Sequence, residues 1–291
     1  MSEFSQAFDY VHSTLRSLEE SGSRLRASVD SLGRLRAGGK VVSAPETPSP
    51  STVAKTPVAR EVPLSLAPSI AAPVPATAPV APAEGSKAER LAAMRGPVLA
   101  CTKCPHLVRS RTQVVFGVGN PEAELMFVGE APGEDEDEQG EPFVGKAGQL
   151  LTKIIETMGL SRDKVYIANV LKCRPDMPPG VSGNRKPKLE EMQTCLPYLR
   201  EQINIIQPRA LVALGATALE GLTSENIPVG KVRGKWRDFQ GIPLMVTYHP
   251  AYLLRNQAVS EKRKVWEDML LVLERLGHSI SEKQRQYFTK S

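Results

Sequence analysis

The chain has 291 residues, and its 37 Lys and Arg outnumber its 32 Asp and Glu for a net charge of +5. No run approaches the about 18 apolar residues of a membrane-spanning helix, and the opening Met-Ser-Glu-Phe-Ser-Gln has no charged stretch leading into an apolar one, so a soluble cytoplasmic chain is expected. The basic excess sits in residues 87–291, which permits a polyanionic partner without requiring one.

In residues 1–36, Phe4, Phe8, Val11, Leu15, Leu18, Leu25, Val29, Leu32 and Leu35 recur mostly by fours and threes, with Gly22 interrupting the stripe. This narrow seam predicts an amphipathic helical segment. One reading is a short coiled coil that self-associates or docks a protein partner; the other is a helix folding back at Ser21-Gly22-Ser23 or onto its own domain. Residues 37–86 are Pro, Ala, Ser, Thr and Val with few charges, as in Ala71-Ala72-Pro73-Val74-Pro75-Ala76. They cannot bury enough surface to offset chain entropy, which predicts a disordered, partly polyproline-like linker.

A globular domain is expected over 87–278, with 279–291 as a C-terminal tail. Strands are predicted at 124–129, 165–170, 210–214 and 244–248, alternating with helices over about 147–158, 188–206 and 260–276, and with a short helix after Gly215. This alternation predicts an α/β fold of three layers, α-β-α, around a mainly parallel four-stranded sheet. Ligands in such folds sit beyond the carboxyl ends of the strands. Three polar loops should therefore share one rim: Gly129-Glu130-Ala131-Pro132-Gly133, Asn169, and His249-Pro250-Ala251-Tyr252-Leu253. An acid, an amide and an imidazole converging there could bind a polar heterocycle and activate water.

The four cysteines are one close pair, Cys101 and Cys104, and two singles, Cys173 and Cys195. Paired cysteines in such a chain suggest metal or redox chemistry rather than disulfides, and four thiolates can hold one zinc or one 4Fe–4S cluster. Spacing leaves both metals open.

Five blocks in order resemble family 4, the iron–sulfur family, of the uracil-DNA glycosylase superfamily. They are Thr112-Gln113-Val114-Val115-Phe116-Gly117, the run from Gly129 to Asp137, Gly140-Glu141-Pro142-Phe143-Val144-Gly145, Asn169-Val170-Leu171-Lys172-Cys173-Arg174-Pro175, and His249-Pro250-Ala251-Tyr252-Leu253-Leu254-Arg255. The resemblance covers roughly residues 88–276. It implies an enzyme that flips uracil out of single- or double-stranded DNA and hydrolyses its bond to deoxyribose, initiating base excision repair, with Cys101, Cys104, Cys173 and Cys195 ligating a structural 4Fe–4S cluster. A catalytically inactive iron–sulfur adaptor is the alternative.

By the same resemblance Glu130, Ala131, Pro132, Phe143, Asn169 and His249 would form the uracil pocket. Phe143 would stack on the base, Asn169 would read its edge, and His249 would donate to O2. In the best-known family of the superfamily an Asp stands where this chain has Ala131, so Glu130 first, and Glu136 second, are the candidates to position water. The rest of the run 134–138 reads as a solvated, charged loop. Leu253 sits where the superfamily places the side chain that fills the vacated stack, and its polar, Pro-containing surroundings predict exposure. Tyr252, Leu254 and Arg255 would support it, Arg255 also meeting a phosphate. A related branch forms a covalent adduct through a histidine in the loop matching about 180–188. Here that loop has no histidine, so turnover by water is expected.

Overall fold

A computed structural model describes residues 85–289 apart from 179 and 182. The apolar seam of 1–36 and the linker up to residue 84 lie outside the described residues.

Three strands whose side chains are buried on both faces organise the domain: β2 (Leu125–Gly129), β3 (Tyr166–Asn169) and β4 (Ala210–Leu214). Such runs suit the interior of a parallel sheet. With β1 (Val118–Gly119), β5 (Trp236–Phe239) and β6 (Ile242–Thr247) they make a six-stranded sheet in the order β1-β3-β2-β4-β6-β5. The four inner strands are parallel, and β1 and β5 run antiparallel on the two edges.

The four expected strands are therefore the parallel core, and the sheet is wider than expected by two edges. β1 is only two residues long, and Trp236-Arg237-Asp238-Phe239 is half exposed, so neither edge shows a clean strand pattern. The hairpin joining β5 to β6 turns at Gln240 and Gly241, both at positive φ, and Asp238 Oδ1 accepts from the Gly241 N–H at 3.1 Å.

Alternate strand residues feed two cores. Met126, Val128, Tyr166, Ala168, Leu211, Ala213, Leu244 and Val246 pack on the side of α1 (Lys87–Leu99), α5 (Leu189–Ile206) and α6 (Ala216–Thr223). Leu125, Phe127, Ile167, Val212 and Met245 pack on the opposite side with α4 (Lys146–Thr157) and α9 (Val259–Leu276). The period of two along each strand thus gives the three layers.

Short helices complete the chain: α2 (Pro105–Ser110), α3 (Glu134–Gln139), α7 (Val229–Val232), α8 (Pro250–Arg255) and α10 (Glu282–Arg285). The segment read as a tail is fastened down: Trp266 Nε1 donates to the Gln284 carbonyl at 2.6 Å, and Gln284 Nε2 to the Thr157 carbonyl at 2.9 Å.

The acidic run is also not a loop. It forms α3, because Glu136 Oε2 turns back to accept the Gly133 N–H at 3.0 Å and Asp137 is buried, accepting the Thr112 N–H at 2.8 Å. Carboxylates at a helix N-terminus are favoured by the unpaired N–H groups there.

At Gly148, on α4, a Cβ would stand 1.9 Å from the carbonyl carbon of Phe143. Gly148→Ala should cost about 1–3 kcal/mol by overpacking. Thermal denaturation followed by circular dichroism should show Tm falling by several degrees, and an unchanged Tm would contradict the contact.

Candidate functional site

Because β2, β3, β4 and β6 are parallel, their carboxyl ends lie on one rim, with Gly129 opposite Asn169 and Leu214 opposite Thr247. A cavity of about 370 Å³ opens there. Glu130, Ala131, Pro132, Glu136, Phe143, Asn169, His249 and Arg255 all line it, together with Gly133, Ala147, Pro175, Ala251 and the stretch Asn184, Arg185 and Lys186. Tyr252, Leu253 and Leu254 lie outside it.

Phe143 and Asn169 meet over Gly129. A Cβ on Gly129 would lie 2.3 Å from Asn169 Oδ1 and 2.5 Å from Phe143 Cζ, so the close approach needs glycine. Phe143 holds a positive φ of 56°, a backbone conformation that is uncommon for a bulky side chain. Arg162 supports it, donating to the carbonyls of Phe143 at 3.1 Å and Pro142 at 2.9 Å. Asn169 is 2% exposed, and its Oδ1 has no hydrogen-bond partner among the described residues. A buried acceptor left bare costs about 1–3 kcal/mol, so it marks a place where a donor is missing.

His249 follows β6, whose last residue is tied to α9: Thr247 Oγ1 donates to Asp268 Oδ2 at 2.6 Å, and Arg233 grips the same carboxylate. The His249 ring lies 5.6 Å from that of Phe143. Its Nδ1 accepts the Ala251 N–H at 3.1 Å, so the neutral imidazole carries its proton on Nε2. Burial, and then the Arg255 charge, push it down to about 4.

The two acids differ in what occupies them. Glu136 is filled by the backbone: besides Gly133, the N–H groups of Val144 and Gly145 donate to Oε1 at 2.9 and 3.0 Å. It straps the Gly133 turn to the segment carrying Phe143. Glu130 is pushed above the usual carboxylate range by burial, against the pull of a hydrogen bond from Thr217 and the charge of Lys186. Among the described residues no backbone N–H claims it, which leaves its carboxylate the freer of the two to meet a water.

The expectation of an exposed Leu253 is overturned. Pro250 starts a helix rather than a loop, and the i, i+3 spacing turns Pro250 and Leu253 inward, Leu253 being 5% exposed. Leu253 borders an apolar groove with Leu150, Ile154, Val265 and Trp266. The outward leucine is Leu254, at 39%. Tyr252 stacks on Tyr248 with centroids 4.5 Å apart, and its hydroxyl donates to Glu261 at 3.0 Å.

Three segments bring the cysteines together. Cys101 and Cys104 lie between α1 and α2, Cys173 follows β3, and Cys195 is on α5. All four are free, with Cys173 and Cys195 buried. Burial raises the Cys173 and Cys104 thiols and pushes Cys195 up to about 12. Arg111 Nη1 donates to Cys173 Sγ at 3.0 Å and the Lys172 N–H to Cys195 Sγ at 3.3 Å. Donors aimed at sulfur favour thiolates, and a bound metal would hold them deprotonated against burial.

Several residues here escaped the sequence reading. Thr217, Arg111 and Arg162 act through partners distant in sequence, so no local pattern marks them, and Gly148 meets Phe143 only through the start of α4. Asn184, Arg185 and Lys186 stand in a loop noted for its lack of histidine, and their basic charge was the available signal.

The pH dependence of His249 follows from its surroundings. The unfolded chain takes up the imidazole proton near the ordinary 6.5 and the folded chain only near about 4. Stability from this group is therefore constant above 6.5 and is lost as pH falls between the two values. NMR titration should find His249 neutral at pH 5.5, and a midpoint near 6.5 would contradict the enclosed site.

The sequence model of the uracil DNA glycosylase superfamily matches residues 116–270. The type-4 uracil-DNA glycosylase of Thermotoga maritima is 47% identical over 172 residues, 58% of this chain and 85% of the relative. That of Archaeoglobus fulgidus is 40% identical over 183 residues, 58% of this chain and 88% of the relative. A type-5 uracil-DNA glycosylase of Pyrobaculum aerophilum is 30% identical over 192 residues, 54% of this chain and 80% of the relative. With the four cysteines and the five blocks in place, the chain belongs to the type-4 family of the uracil-DNA glycosylase superfamily.

Proposed function

We propose that this protein excises uracil from DNA by hydrolysis, leaving an abasic site. The observation that carries the reading is the buried Asn169 Oδ1, without a hydrogen-bond partner among the described residues, on a residue that lines the same cavity as Phe143. A stacked nucleotide hides its C1′–N1 bond, so the base must first be extruded, at a cost of a few kcal/mol. Phe143 then stacks on the uracil face, Asn169 Oδ1 accepts from N3–H, and its Nδ2 donates to O4. Cytosine presents the opposite pattern at these two atoms.

As the C1′–N1 bond breaks, its electron pair moves into the uracil ring and charge gathers at O2 and O4. His249, neutral with its proton on Nε2, donates to O2. Water adds to C1′ of the oxocarbenium-like sugar and passes its proton to Glu130, whose carboxylate also stabilises the positive charge. Glu136 keeps its role as a strap. In this reading Leu254, the outward leucine of α8, fills the vacated stack rather than Leu253, and Arg255, which lines the cavity, meets a phosphate.

The four thiols suit a 4Fe–4S cluster. Arg111 Nη1 and the Lys172 N–H already donate to two of the sulfurs, the outer support that thiolates holding such a cluster use. Such a cluster would be structural, tying α2, the β3–α5 loop and α5 into one unit.

Two measurements test the reading. On a uracil-containing oligonucleotide the wild type should give abasic product, and Asn169→Ala and His249→Ala should each lose about 10²–10³ in rate while keeping their iron. No product from iron-replete wild type would leave only the DNA-binding adaptor. Purified protein should be brown, with broad absorption near 400 nm by analogy with such clusters. A colourless preparation carrying one zinc per chain would overturn the cluster.

A further inference from the structure

Arg185 lines the cavity, yet all five of its N–H donors point back into the protein. Nε donates to the Asp176 carbonyl at 2.7 Å. Nη1 donates to the Lys186 carbonyl at 3.1 Å and to Glu191 Oε2 at 3.0 Å, and Nη2 to Glu191 Oε1 at 2.7 Å and to Asp176 Oδ1. A guanidinium has five such donors, so none remains for a phosphate. Glu191 is 1% exposed and is held on its other sides by His106 Nε2 and the Lys188 N–H, each at 2.7 Å.

Each anchor is a near neighbour of a cysteine in sequence. His106 follows Cys104 by two residues, Asp176 follows Cys173 by three, and Glu191 precedes Cys195 by four, one turn of α5. Two of the three segments that bring the thiols together thus grip Arg185 directly, and the third holds Glu191 through His106. On its cavity side Arg185 stands between Asn184 and Lys186. The Asn184 amide closes on the Gly133 turn, 3.2 Å from where a Cβ on Gly133 would be, and Lys186 Nζ pairs with Glu220 at 2.6 Å.

We propose that Arg185 is a positioning residue, a strut clamped by Asp176 and by Glu191, which His106 holds, through which the four-cysteine centre sets the 183–188 wall of the cavity. The idea rests on the glycosylase reading for its substrate and deepens it by naming how the cysteine centre acts on the pocket. With the strut loosened, Asn184 and Lys186 swing away from the Gly133 turn and from Glu130. Asn169 and His249, at the strand ends, and Phe143, whose segment Arg162 and Glu136 hold, stay in place. Substrate binding suffers and the chemical step does not.

The test uses full-length, iron-loaded protein: Glu191→Gln beside wild type, with the exposed neighbour Glu190→Gln as control. Iron content and visible absorption should match wild type, since Glu191 is no ligand. Initial trypsin cleavage after Arg185 and Lys188, followed by mass spectrometry, should rise about tenfold as local opening becomes easier. KM for uracil-containing DNA should rise about tenfold, with kcat within about threefold. Arg185→Gln removes the strut from its other end and should give the same pattern, with cleavage read after Lys188. Wild-type cleavage and KM in both variants, with iron retained, would overturn the strut, as would iron loss as complete as in Cys195→Ala. If the wild type releases no uracil, the glycosylase reading falls while the cleavage rates still decide the strut.

Discussion

At the end of β2 the chain has no side chain, and the Phe143 ring and the Asn169 amide close over that gap. Gly129 permits the approach, Gly148 admits the Phe143 backbone from below, and Arg162 and Glu136 hold the segment that carries the ring. The outcome is a buried carbonyl oxygen with nothing to accept and an aromatic face beside it. Folding has already met the cost of stripping water from that oxygen, so a ligand that brings an N–H gains a hydrogen bond without repeating the desolvation. A planar ring with an adjacent N–H and carbonyl is the ligand such a place selects.

Around this pair the structure separates binding from support. His249 offers one donor because the Ala251 N–H occupies its other nitrogen, and the ring stays neutral because it is enclosed and faces Arg255. The acids divide in the same way, with Glu136 filled by backbone donors and Glu130 left open. On the far wall, Arg185 spends its charge on holding Asp176 and Glu191 together. A charged side chain lining the cavity is here part of the frame.

Much of this was legible in the sequence because it depends on local pattern. The four parallel strands are apolar runs, and once they are known to be parallel, Glu130, Asn169 and His249 must share a rim. What could not be read depends on short helices the pattern does not announce and on partners distant along the chain. In the acidic run Glu134, Asp135 and Glu138 are solvated as expected, but the helix and the burial of Asp137 show only once Thr112 and Gly133 are seen to donate into it. Leu253 looks exposed until Pro250 is known to start a helix that turns it inward. The edges β1 and β5 are short or half-exposed and acquire strand geometry only from their neighbours.

The central claim is that Asn169 Oδ1 reads the N3–H of an extruded uracil, and the most direct measurement is single-turnover excision from matched oligonucleotides carrying uracil or N3-methyluracil. Removing that one donor should slow release by a factor of about 10³ or more, because a site built around a hydrogen bond rejects the analogue that cannot make it. Excision of both bases at similar rates would contradict the account.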